Sequence, residues 1–310
     1  MILTVTLNTA IDKQYIINEM KPQSVMRVLE VMDTAGGKGL NVSRVASLGD
    51  EKVCAMGFVG GNAGKHFLSL IDDENIESSF TFADGETRNC INIRDHATGK
   101  STEFLEPGFK VEEQDLQNFI NDYKANLKNA DIVTINGSMP KGVPTDFYKT
   151  LIEIAKEQNI DVILDTSGDA LKVSLEAKPW LVKPNTDEIQ QILDINVDNL
   201  EEIIEAAHKI RAIGPENVAV SLGKDGVLVV TANGVYKGIT PDIPVKNTVG
   251  CGDSMVAGFA VGKKRGWSME DTIAYAVAVS TANALSLGTG TYDKKDLEMV
   301  TPMIKVEKIK

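Results

Sequence analysis

Residues 2–7 read ILTVTL, residues 53–59 read VCAMGFV and residues 131–136 read DIVTIN. Each of these short, apolar and largely β-branched runs precedes a segment whose apolar residues recur at helical spacing. The same order recurs for DVILD, WLVK and NVAVSL, at residues 161–165, 180–183 and 217–222. Strands that alternate with helices form parallel βαβ units. The sequence therefore predicts an α/β fold, with a doubly wound, mostly parallel sheet flanked by helices.

Two segments, residues 11–33 and 87–105, interrupt this alternation. They contain YIINEM, MRVLEVM, RNCINIRD and STEFLE, with a turn at His96–Gly99 and no helix between them. We expect them to form a small antiparallel sheet, a discontinuous β lid. Because its apolar face has nothing in the sequence to cover it, the lid should close over a ligand, pair with a second copy in a homodimer, or both. The predicted core is the rest of the chain, residues 1–10, 34–86 and 106–310.

The composition excludes several classes of partner. The 310 residues include 32 Lys and Arg against 44 Asp and Glu, a net charge of −12, so we expect no nucleic acid partner. No run approaches the length of apolar sequence that a membrane helix needs, so we expect no membrane partner. The three cysteines lack C-x-x-C spacing, which argues against disulfides and zinc and is typical of the cytoplasm. An anion site in so acidic a chain must be built locally from lysine, arginine and backbone N–H groups.

The strongest local signal is NTVGCGDSMVAGF at residues 247–259. Two glycines allow the N–H groups of Gly250, Cys251 and Gly252 to point one way, and a helix beginning near Asp253 adds its positive end. This pattern predicts an anion hole with a carboxylate at its rim. The alternative interpretation is a tight turn followed by an ordinary N-cap aspartate.

A second glycine-rich segment, TAGGKGLNVSR, spans residues 34–44 and leads into a helix predicted over Asn41–Leu48. Glycines permit close backbone approach to a ligand, and Lys38 among them could meet a phosphate. The alternative is a flexible loop with a solvated lysine. The segment is not a Walker A motif, and no G-x-G-x-x-G follows a strand, which disfavours a nicotinamide dehydrogenase.

Three weaker signals follow predicted strands. Asp12 comes just after the first strand, where doubly wound sheets bind ligands, although a turn residue would look the same. Asn185 and Glu188 stand three apart at a helix start, which suits magnesium bound through water, or else a helix cap. The segment SLGKDG at residues 221–226 is most simply a hairpin turn.

Taken in order, NTAID, AGGKGLNVSR, NGSMPKGV, VKPNTDEI, SLGKDG and NTVGCGDSMVAGF resemble the PfkB branch of the ribokinase-like carbohydrate kinases over essentially the whole chain. The resemblance implies an α/β core with a small β lid, the use of ATP with Mg²⁺, and phosphorylation of a primary sugar hydroxyl. Two positions depart from the family pattern. Thr9 replaces a proline, and Cys251 replaces a small alanine or serine.

The resemblance also implies site residues. Asp253 would be the catalytic base, and Gly250, Cys251 and Gly252 the anion hole. The implied substrate-binding residues are Asp12, Gly37, Lys38, Gly39, Asn41, Arg88 and Ser138. The implied nucleotide-binding residues are Lys183, Asn185, Glu188, Ser221, Gly223, Gly226 and Asn283. Of these, Asn185 and Glu188 would organise Mg²⁺ through water.

The lysine in GGKG is typical of the family members that act on phosphorylated hexoses. The segments DTSGDALK, KPWLVKPN and EAAHKIRAIG look more like 1-phosphofructokinase, and GETRNCINI looks more like tagatose-6-phosphate kinase. We therefore expect fructose 1-phosphate to be converted to fructose 1,6-bisphosphate, with tagatose 6-phosphate as the alternative substrate. Lys38 and Arg88 are expected to hold the existing phosphate at the end of the site far from Asp253.

Two hypotheses from other classes compete with the kinase. An inert sugar-phosphate sensor would bind the same ligands without turnover, but it would have no need for a carboxylate beside an anion hole. A Cys251 nucleophile is conceivable because a helix N-terminus lowers a thiol pKa, but no histidine lies in a recognisable partner motif.

Overall fold

The computed structural model describes residues 1–72 and 74–310. The strands are β1 (Ile2–Asn8), β2 (Ala10–Ile17), β3 (Glu30–Gly36), β4 (Val53–Val59), β5 (Glu77–Phe82), β6 (Arg88–Asp95), β7 (Ser101–Leu105), β8 (Ile132–Asn136), β9 (Asp161–Asp165), β10 (Leu181–Val182), β11 (Asn217–Ser221), β12 (Val227–Val230), β13 (Val235–Ile239) and β14 (Lys305–Lys308). The helices are α1 (Lys38–Leu48), α2 (Gly61–Asp72), α3 (Glu113–Leu127), α4 (Phe147–Glu157), α5 (Gly168–Ser174), α6 (Thr186–Leu193), α7 (Leu200–Ile213), α8 (Cys251–Lys264), α9 (Met269–Ala284) and α10 (Lys294–Val300).

Ten strands form one sheet in the order β14-β13-β12-β11-β10-β9-β8-β1-β4-β5. From β5 to β11 every neighbouring pair is parallel, and β12, β13 and β14 extend the sheet by antiparallel pairing. The central strands are apolar throughout because helices cover both faces, and β4 is buried at all seven residues. The predicted mostly parallel, doubly wound sheet is confirmed.

Helices on the two faces build two hydrophobic clusters. On one face α1, α2, α8 and α9 contribute side chains such as Phe67 and Phe259. On the other face α3, α4, α6 and α7 contribute Phe119, Tyr123 and Tyr148. Within residues 1–72 and 74–310, none of these helices is long and apolar enough to cross a membrane.

The other four strands form the small sheet, in the order β3-β2-β6-β7. Its outer pairs are antiparallel, but β2 and β6 are parallel, so the prediction of a fully antiparallel sheet was wrong for this pair. The reason is connectivity: β2 follows β1 and β6 follows β5, and both leave the carboxyl edge of the large sheet in the same direction. The predicted turn at His96–Gly99 is present, and Asp95 accepts hydrogen bonds from the N–H of Ala97 and Thr98.

The small sheet connects directly to the helix that follows it. Gly37, at a φ of 119°, turns the chain from β3 into α1. The helix begins at Lys38, three residues before the predicted start at Asn41. Lys38 is therefore the first residue of a helix rather than part of a free loop. This helix start lies at the carboxyl edge of the parallel strands, where β1, β8 and β9 also end.

Candidate active site

The segment Asn247–Asp253, which we call the anion loop, enters α8 through Gly250 in a left-handed conformation with a φ of 82°. The Cys251 N–H donates weakly to the carbonyl of Thr248 at 3.3 Å. The N–H groups of Gly252 and Asp253 have no backbone partner within the described part of the chain. Unpaired donors at the positive end of a helix attract an anion. Of the three predicted anion-hole amides, that of Gly252 is free to bind one, whereas that of Cys251 is partly used.

Asp253 lies in the first turn of α8 and is only 7% exposed. Its Oδ2 accepts a hydrogen bond from Asn41 Nδ2 at 2.8 Å. Burial raises the pKa of Asp253 to about 6, the Asp165 carboxylate adds to the rise, and Lys38 opposes it. A carboxylate with this pKa is ionised at neutral pH and is a better proton acceptor than an exposed aspartate.

Asp165 is a residue that sequence reasoning missed. It ends β9, is 2% exposed, and lies between two lysines. Lys183 Nζ is 3.2 Å from its Oδ1, and Lys38 Nζ is 3.6 Å from its Oδ2. Lys183 Nζ also lies 3.5 Å from the point where a side chain would begin at Gly252. Asp165 thus holds two cations beside the anion loop, and its only signal in the sequence is its place at the carboxyl end of the DVILD strand.

Lys38 does not lie at the far end of the site. Its charge interacts with Asp165, Asp253 and Glu188, and the Asp165 carboxylate raises the pKa of Lys38. The side chain is 49% exposed, so the ammonium group remains accessible to a ligand. The expectation that Lys38 holds a phosphate remote from Asp253 conflicts with this position, which is beside the reacting groups.

Asp12 and Arg88 mark the other end of the site, at the base of the small sheet. Burial raises the pKa of Asp12 to about 6, and the charges of Arg44 and Arg88 oppose the rise. Arg88 donates to the carbonyls of Asn8 at 3.0 Å and Glu106 at 2.8 Å. Its Nε also donates to the Thr9 carbonyl at 3.4 Å. These bonds anchor the guanidinium beside Asp12, and the remaining N–H groups have no partner within the described part of the chain. A cleft of about 420 Å³ opens against this arginine.

Ser138 lies next to this end of the site, where its hydroxyl accepts a hydrogen bond from Asn8 Nδ2 at 3.3 Å. The preceding residue, Gly137, is close to the Lys38 side chain, since a Cβ at Gly137 would be 3.7 Å from Lys38 Cβ. Gly39 packs against Thr6 and has no room for a side chain. The structure therefore brings Gly37, Lys38, Gly39, Asn41 and Ser138 to one edge of the large sheet.

Asn185 and Glu188 form a capping box at the start of α6. Asn185 Oδ1 accepts from the Glu188 N–H at 2.8 Å, and Glu188 Oε2 accepts from the Asn185 N–H at 2.9 Å. The helix-cap alternative is therefore correct as a description of their local bonding. Burial nevertheless raises the pKa of Glu188, and the nearby Asp165 carboxylate adds to the rise. Glu188 thus faces the same charged cluster as Lys38 and Lys183.

The residues expected to contact nucleotide divide into two groups. Ser221 ends β11, and Gly223 and Gly226 lie at positive φ in the turn between β11 and β12. Asn283 is fully buried in α9, donates to the Val249 carbonyl at 3.0 Å, and accepts from the Thr291 N–H at 3.2 Å. Asn283 therefore braces the anion loop from behind, and its predicted contact with nucleotide stays a prediction.

The thiol of Cys251 is held in a site that disfavours its ionisation. Burial raises its pKa, although the thiol accepts a hydrogen bond from Asn283 Nδ2 at 3.3 Å. The helix N-terminus does not produce a thiolate here, contrary to the condition that a cysteine nucleophile needs. The hypothesis of a nucleophilic Cys251 loses its basis.

A family model described as pfkB family carbohydrate kinase matches residues 3–296. The chain belongs to the pfkB family of carbohydrate kinases. Tagatose-6-phosphate kinase of Staphylococcus epidermidis is 38% identical over 309 residues, which are 99% of each chain. This match and the family model confirm the resemblance that the ordered motifs predicted.

Solved structures of phosphofructokinases share the fold of this carbohydrate kinase. The tetrameric inhibited form of phosphofructokinase-2 from Escherichia coli has a TM-score of 0.90 and 29% identity, covering 97% of this chain and 98% of that one. A Thermotoga maritima protein described as a possible 1-phosphofructokinase has a TM-score of 0.90 and 26% identity, covering 100% and 99%. The ribokinase-like fold and the enzyme class, an ATP-using sugar phosphotransferase, are confirmed.

Proposed function

We propose that this carbohydrate kinase transfers the γ-phosphoryl group of ATP to the free primary hydroxyl of a ketohexose phosphate. The observation that carries the proposal is the position of Asp253, a buried carboxylate at the N-terminus of α8 beside the unpaired Gly252 N–H and two lysines. An anion site needs no carboxylate to bind phosphate, because a carboxylate repels it. A base is the role that accounts for a carboxylate there, which argues against the inert sensor.

Asp253 accepts the proton of the sugar hydroxyl as that oxygen attacks the γ-phosphorus. Its pKa of about 6 keeps it ionised at neutral pH. The hydrogen bond from Asn41 Nδ2 occupies Oδ2 and leaves Oδ1 for the hydroxyl. The bond from phosphorus to the β-phosphate oxygen breaks as the new bond forms, and ADP leaves.

Fixed hydrogen-bond donors and cations stabilise the negative charge on the transferring phosphoryl group. The Gly252 N–H and the positive end of α8 supply part of this stabilisation. Lys183 is buried and paired with Asp165, so its ammonium group is fixed in place. Lys38 is half exposed, so its side chain can move toward the phosphoryl group. We assign Lys183 to the nucleotide phosphates and Lys38 to the phosphate being transferred.

The residues around Asp165 fit a hydrated Mg²⁺ ion. Within residues 1–72 and 74–310, Asp165 Oδ2 is buried without a hydrogen-bond partner, and Glu188 faces it. Among the described residues no group of three His, Cys, Asp or Glu side chains could hold a metal unaided. Magnesium commonly binds through one or two carboxylates, water and substrate phosphates. Bound there with Glu188 and Asn185, it would neutralise phosphate charge.

The end of the site near Asp12 and Arg88 supports recognition of the sugar. A carboxylate such as Asp12 accepts hydrogen bonds from sugar hydroxyls, and the free N–H groups of Arg88 suit a phosphate. Ser138 adds a hydroxyl beside them. If this end holds the existing phosphate, the hydroxyl on the opposite carbon reaches Asp253, so the length of the substrate decides the position of phosphorylation.

Fructose 1-phosphate is our first candidate substrate, and tagatose 6-phosphate is the second, which the 38% identical relative favours. A coupled assay of ADP release with fructose 1-phosphate, tagatose 6-phosphate, fructose 6-phosphate and unphosphorylated fructose separates them. The expected result is a kcat/KM highest for fructose 1-phosphate and lowest for free fructose. Saturable binding of sugar phosphates without ADP release from any of them would favour the sensor instead.

We also propose that two copies pair through the small sheet. The strand register puts Val31, Tyr15 and Ile93 in one row on the face away from Asp12, and Phe104 lies on that same face. Val31 and Phe104 are both more than half exposed. A twofold pair would cover this face on both copies at once. The three free cysteines fit a cytoplasmic location, where thiols stay reduced.

A further inference from the structure

Arg44 is bonded on every side of its guanidinium group. It lies on α1 one turn after Asn41, and its side chain is only 12% exposed. Nε donates to both carboxylate oxygens of Glu74, at 2.8 and 2.7 Å. One terminal nitrogen donates to the carbonyl of Ala35, and the other donates to Asn41 Oδ1 at 3.1 Å. A planar guanidinium with three partners has one orientation.

The side-chain amide of Asn41 links Arg44 to Asp253. Its Oδ1 accepts from Arg44, and its Nδ2 donates to Asp253 Oδ2 at 2.8 Å. We propose that Arg44 is a positioning residue for phosphoryl transfer, because its guanidinium determines which end of the Asn41 amide faces Asp253. This inference rests on the proposed function, in which Asp253 is the base.

The donor and acceptor chemistry explains why the direction matters. A flipped Asn41 amide would place NH₂ against the guanidinium, and both groups are donors only. It would also place the amide oxygen against Asp253, and two acceptors can share a hydrogen bond only if the carboxyl carries a proton. The flipped state therefore stabilises protonated Asp253, which cannot accept the sugar proton. Arg44 excludes that state.

Other charged groups lie near the relay, the chain of hydrogen bonds from Arg44 through Asn41 to Asp253. Asp165, Lys38 and Lys183 face Asp253 from β9, α1 and the end of β10, and they act on its pKa directly. Glu74 and Asp12 face Arg44, whose charge opposes the rise in the pKa of Asp12. Replacing Arg44 leaves the three groups that face Asp253 in place, so its effect on Asp253 must pass through Asn41.

The test is the pH dependence of kcat in Arg44→Met, which keeps length and removes the donors. In the wild type, activity falls as pH drops through the pKa of Asp253, because the protonated form is inactive. Without Arg44 the Asn41 amide can flip and stabilise protonated Asp253. The acid limb of the kcat profile should therefore move upward by about one pH unit, roughly the worth of one charge-assisted hydrogen bond. At alkaline pH, where Asp253 is ionised and the amide turns back, most activity should return.

A double-variant cycle shows whether the effect passes through Asn41. In an Asn41→Ala background, Arg44→Met should add no further shift to the acid limb. Arg44→Lys and Glu74→Gln, which retain part of the geometry, should shift it less than Arg44→Met does. Arg265→Met is the matched control, since Arg265 also pairs with a glutamate, Glu51, and bonds a backbone carbonyl, that of Gly49.

Activity that falls equally at every pH, or an undiminished shift in the Asn41→Ala background, would overturn the positioning role. A carboxyl ¹³C titration of Asp253, assigned by its loss in Asp253→Asn, measures the same pKa without turnover. If the wild type phosphorylates no sugar, the proposed function fails. The titration still decides the relay, because the pKa of Asp253 must rise in Arg44→Met and stay unchanged in Arg265→Met.

Discussion

The region around the anion loop buries charged side chains, whereas the small sheet exposes apolar ones. Around the anion loop, Asp165, Lys183 and Asp253 carry charges in the interior, where each is held by a partner within 3.6 Å or less. On the small sheet, Val31 and Phe104 expose more than half of their apolar surface. Buried charge and exposed apolar surface are both unfavourable in an isolated molecule. We propose that each marks a surface that another molecule completes, phosphate at the anion loop and a second copy or the sugar at the small sheet.

The largest expected effect tests the charged side of this comparison. Asp253→Asn should lower kcat by at least about 100-fold, the typical contribution of a general base, while sugar and ATP affinities change little. The amide keeps the shape of the carboxylate but cannot accept the proton. Steady-state kinetics with isothermal titration of both ligands would measure the two quantities separately.

A kcat close to that of the wild type in Asp253→Asn would remove Asp253 from the chemistry. A large rise in both dissociation constants would instead indicate a structural role for this aspartate. Asp165→Asn is a useful companion, because its loss should release Lys38 and Lys183 and so weaken ATP binding, which Asp253→Asn should not do.

The apolar side of the comparison is tested by Val31→Asp. A buried valine contributes at least about 1.5 kcal/mol, and a twofold dimer loses it on both copies, so the dimer dissociation constant should rise about 100-fold. Sedimentation velocity at several protein concentrations would show the shift to monomer. Val245→Asp is the matched control, since Val245 is equally exposed at 56% but lies outside the small sheet. An unchanged dimer in Val31→Asp would place the interface elsewhere.

Lys38→Ala should have a smaller effect. A charge-assisted contact with phosphate is worth about 1.5 kcal/mol at the low end, and Lys38 is half exposed, so steady-state kinetics should show kcat falling about tenfold while the sugar KM is unchanged. The position of Lys38 beside Asp165 and Asp253 suggests a second role, in which it occupies the phosphoryl site when no sugar is bound.

ATP hydrolysis without sugar separates these roles of Lys38. An increase in Lys38→Ala means that the lysine suppresses idle hydrolysis, and no change leaves it as a phosphate ligand alone. If kcat is also unaltered, the assignment of Lys38 to the transferring phosphoryl group must be withdrawn. Lys149→Ala serves as a control, because Lys149 also pairs with a carboxylate, that of Glu176 at 2.8 Å, but lies on α4 outside the predicted site residues.

The smallest effect is expected for Cys251→Ala. Only the backbone of this residue belongs to the anion loop, and its thiol is protonated and packed against Asn283. The kcat should stay within about threefold of the wild type, since the Val249 carbonyl retains its bond from Asn283. A folded variant that binds ATP but is inactive would show that the thiol takes part in the chemistry.

The fold could be predicted from the sequence because buried parallel strands must be apolar throughout, and six such runs alternate with helical segments. The glycines of the anion loop also pointed to the site, since only glycine readily adopts the left-handed conformation of Gly250. Asp165 escaped notice because one aspartate after a strand is common and carries no spacing signal. Its role depends on Lys38 and Lys183, 127 positions before it and 18 after it, which only the folded chain brings to it.

Two further errors have the same origin. The parallel pairing of β2 and β6 depends on the edge of the large sheet from which both strands leave, which alternation within each strand cannot reveal. The position of Lys38 depends on α1 beginning directly after Gly37, because this turns the lysine toward β9 instead of into a mobile loop. The local sequence predicts the strands and helices, but the distances between their side chains depend on how the large sheet arranges them.

Only Thr9 separates β1 from β2, and its buried hydroxyl donates to the Phe58 carbonyl at 2.5 Å. Strand β1, which ends at the candidate active site, thus continues into the small sheet through one fixed residue, about which β2 can rotate. With about 3.3 Å per residue, a rotation of about 10° there moves the tip of β2 by about 5 Å but moves Asp12 by less than about 2 Å. In the dimer that we propose, the tip of β2 can therefore move with the second subunit while Asp12 stays almost in place at the proposed sugar site.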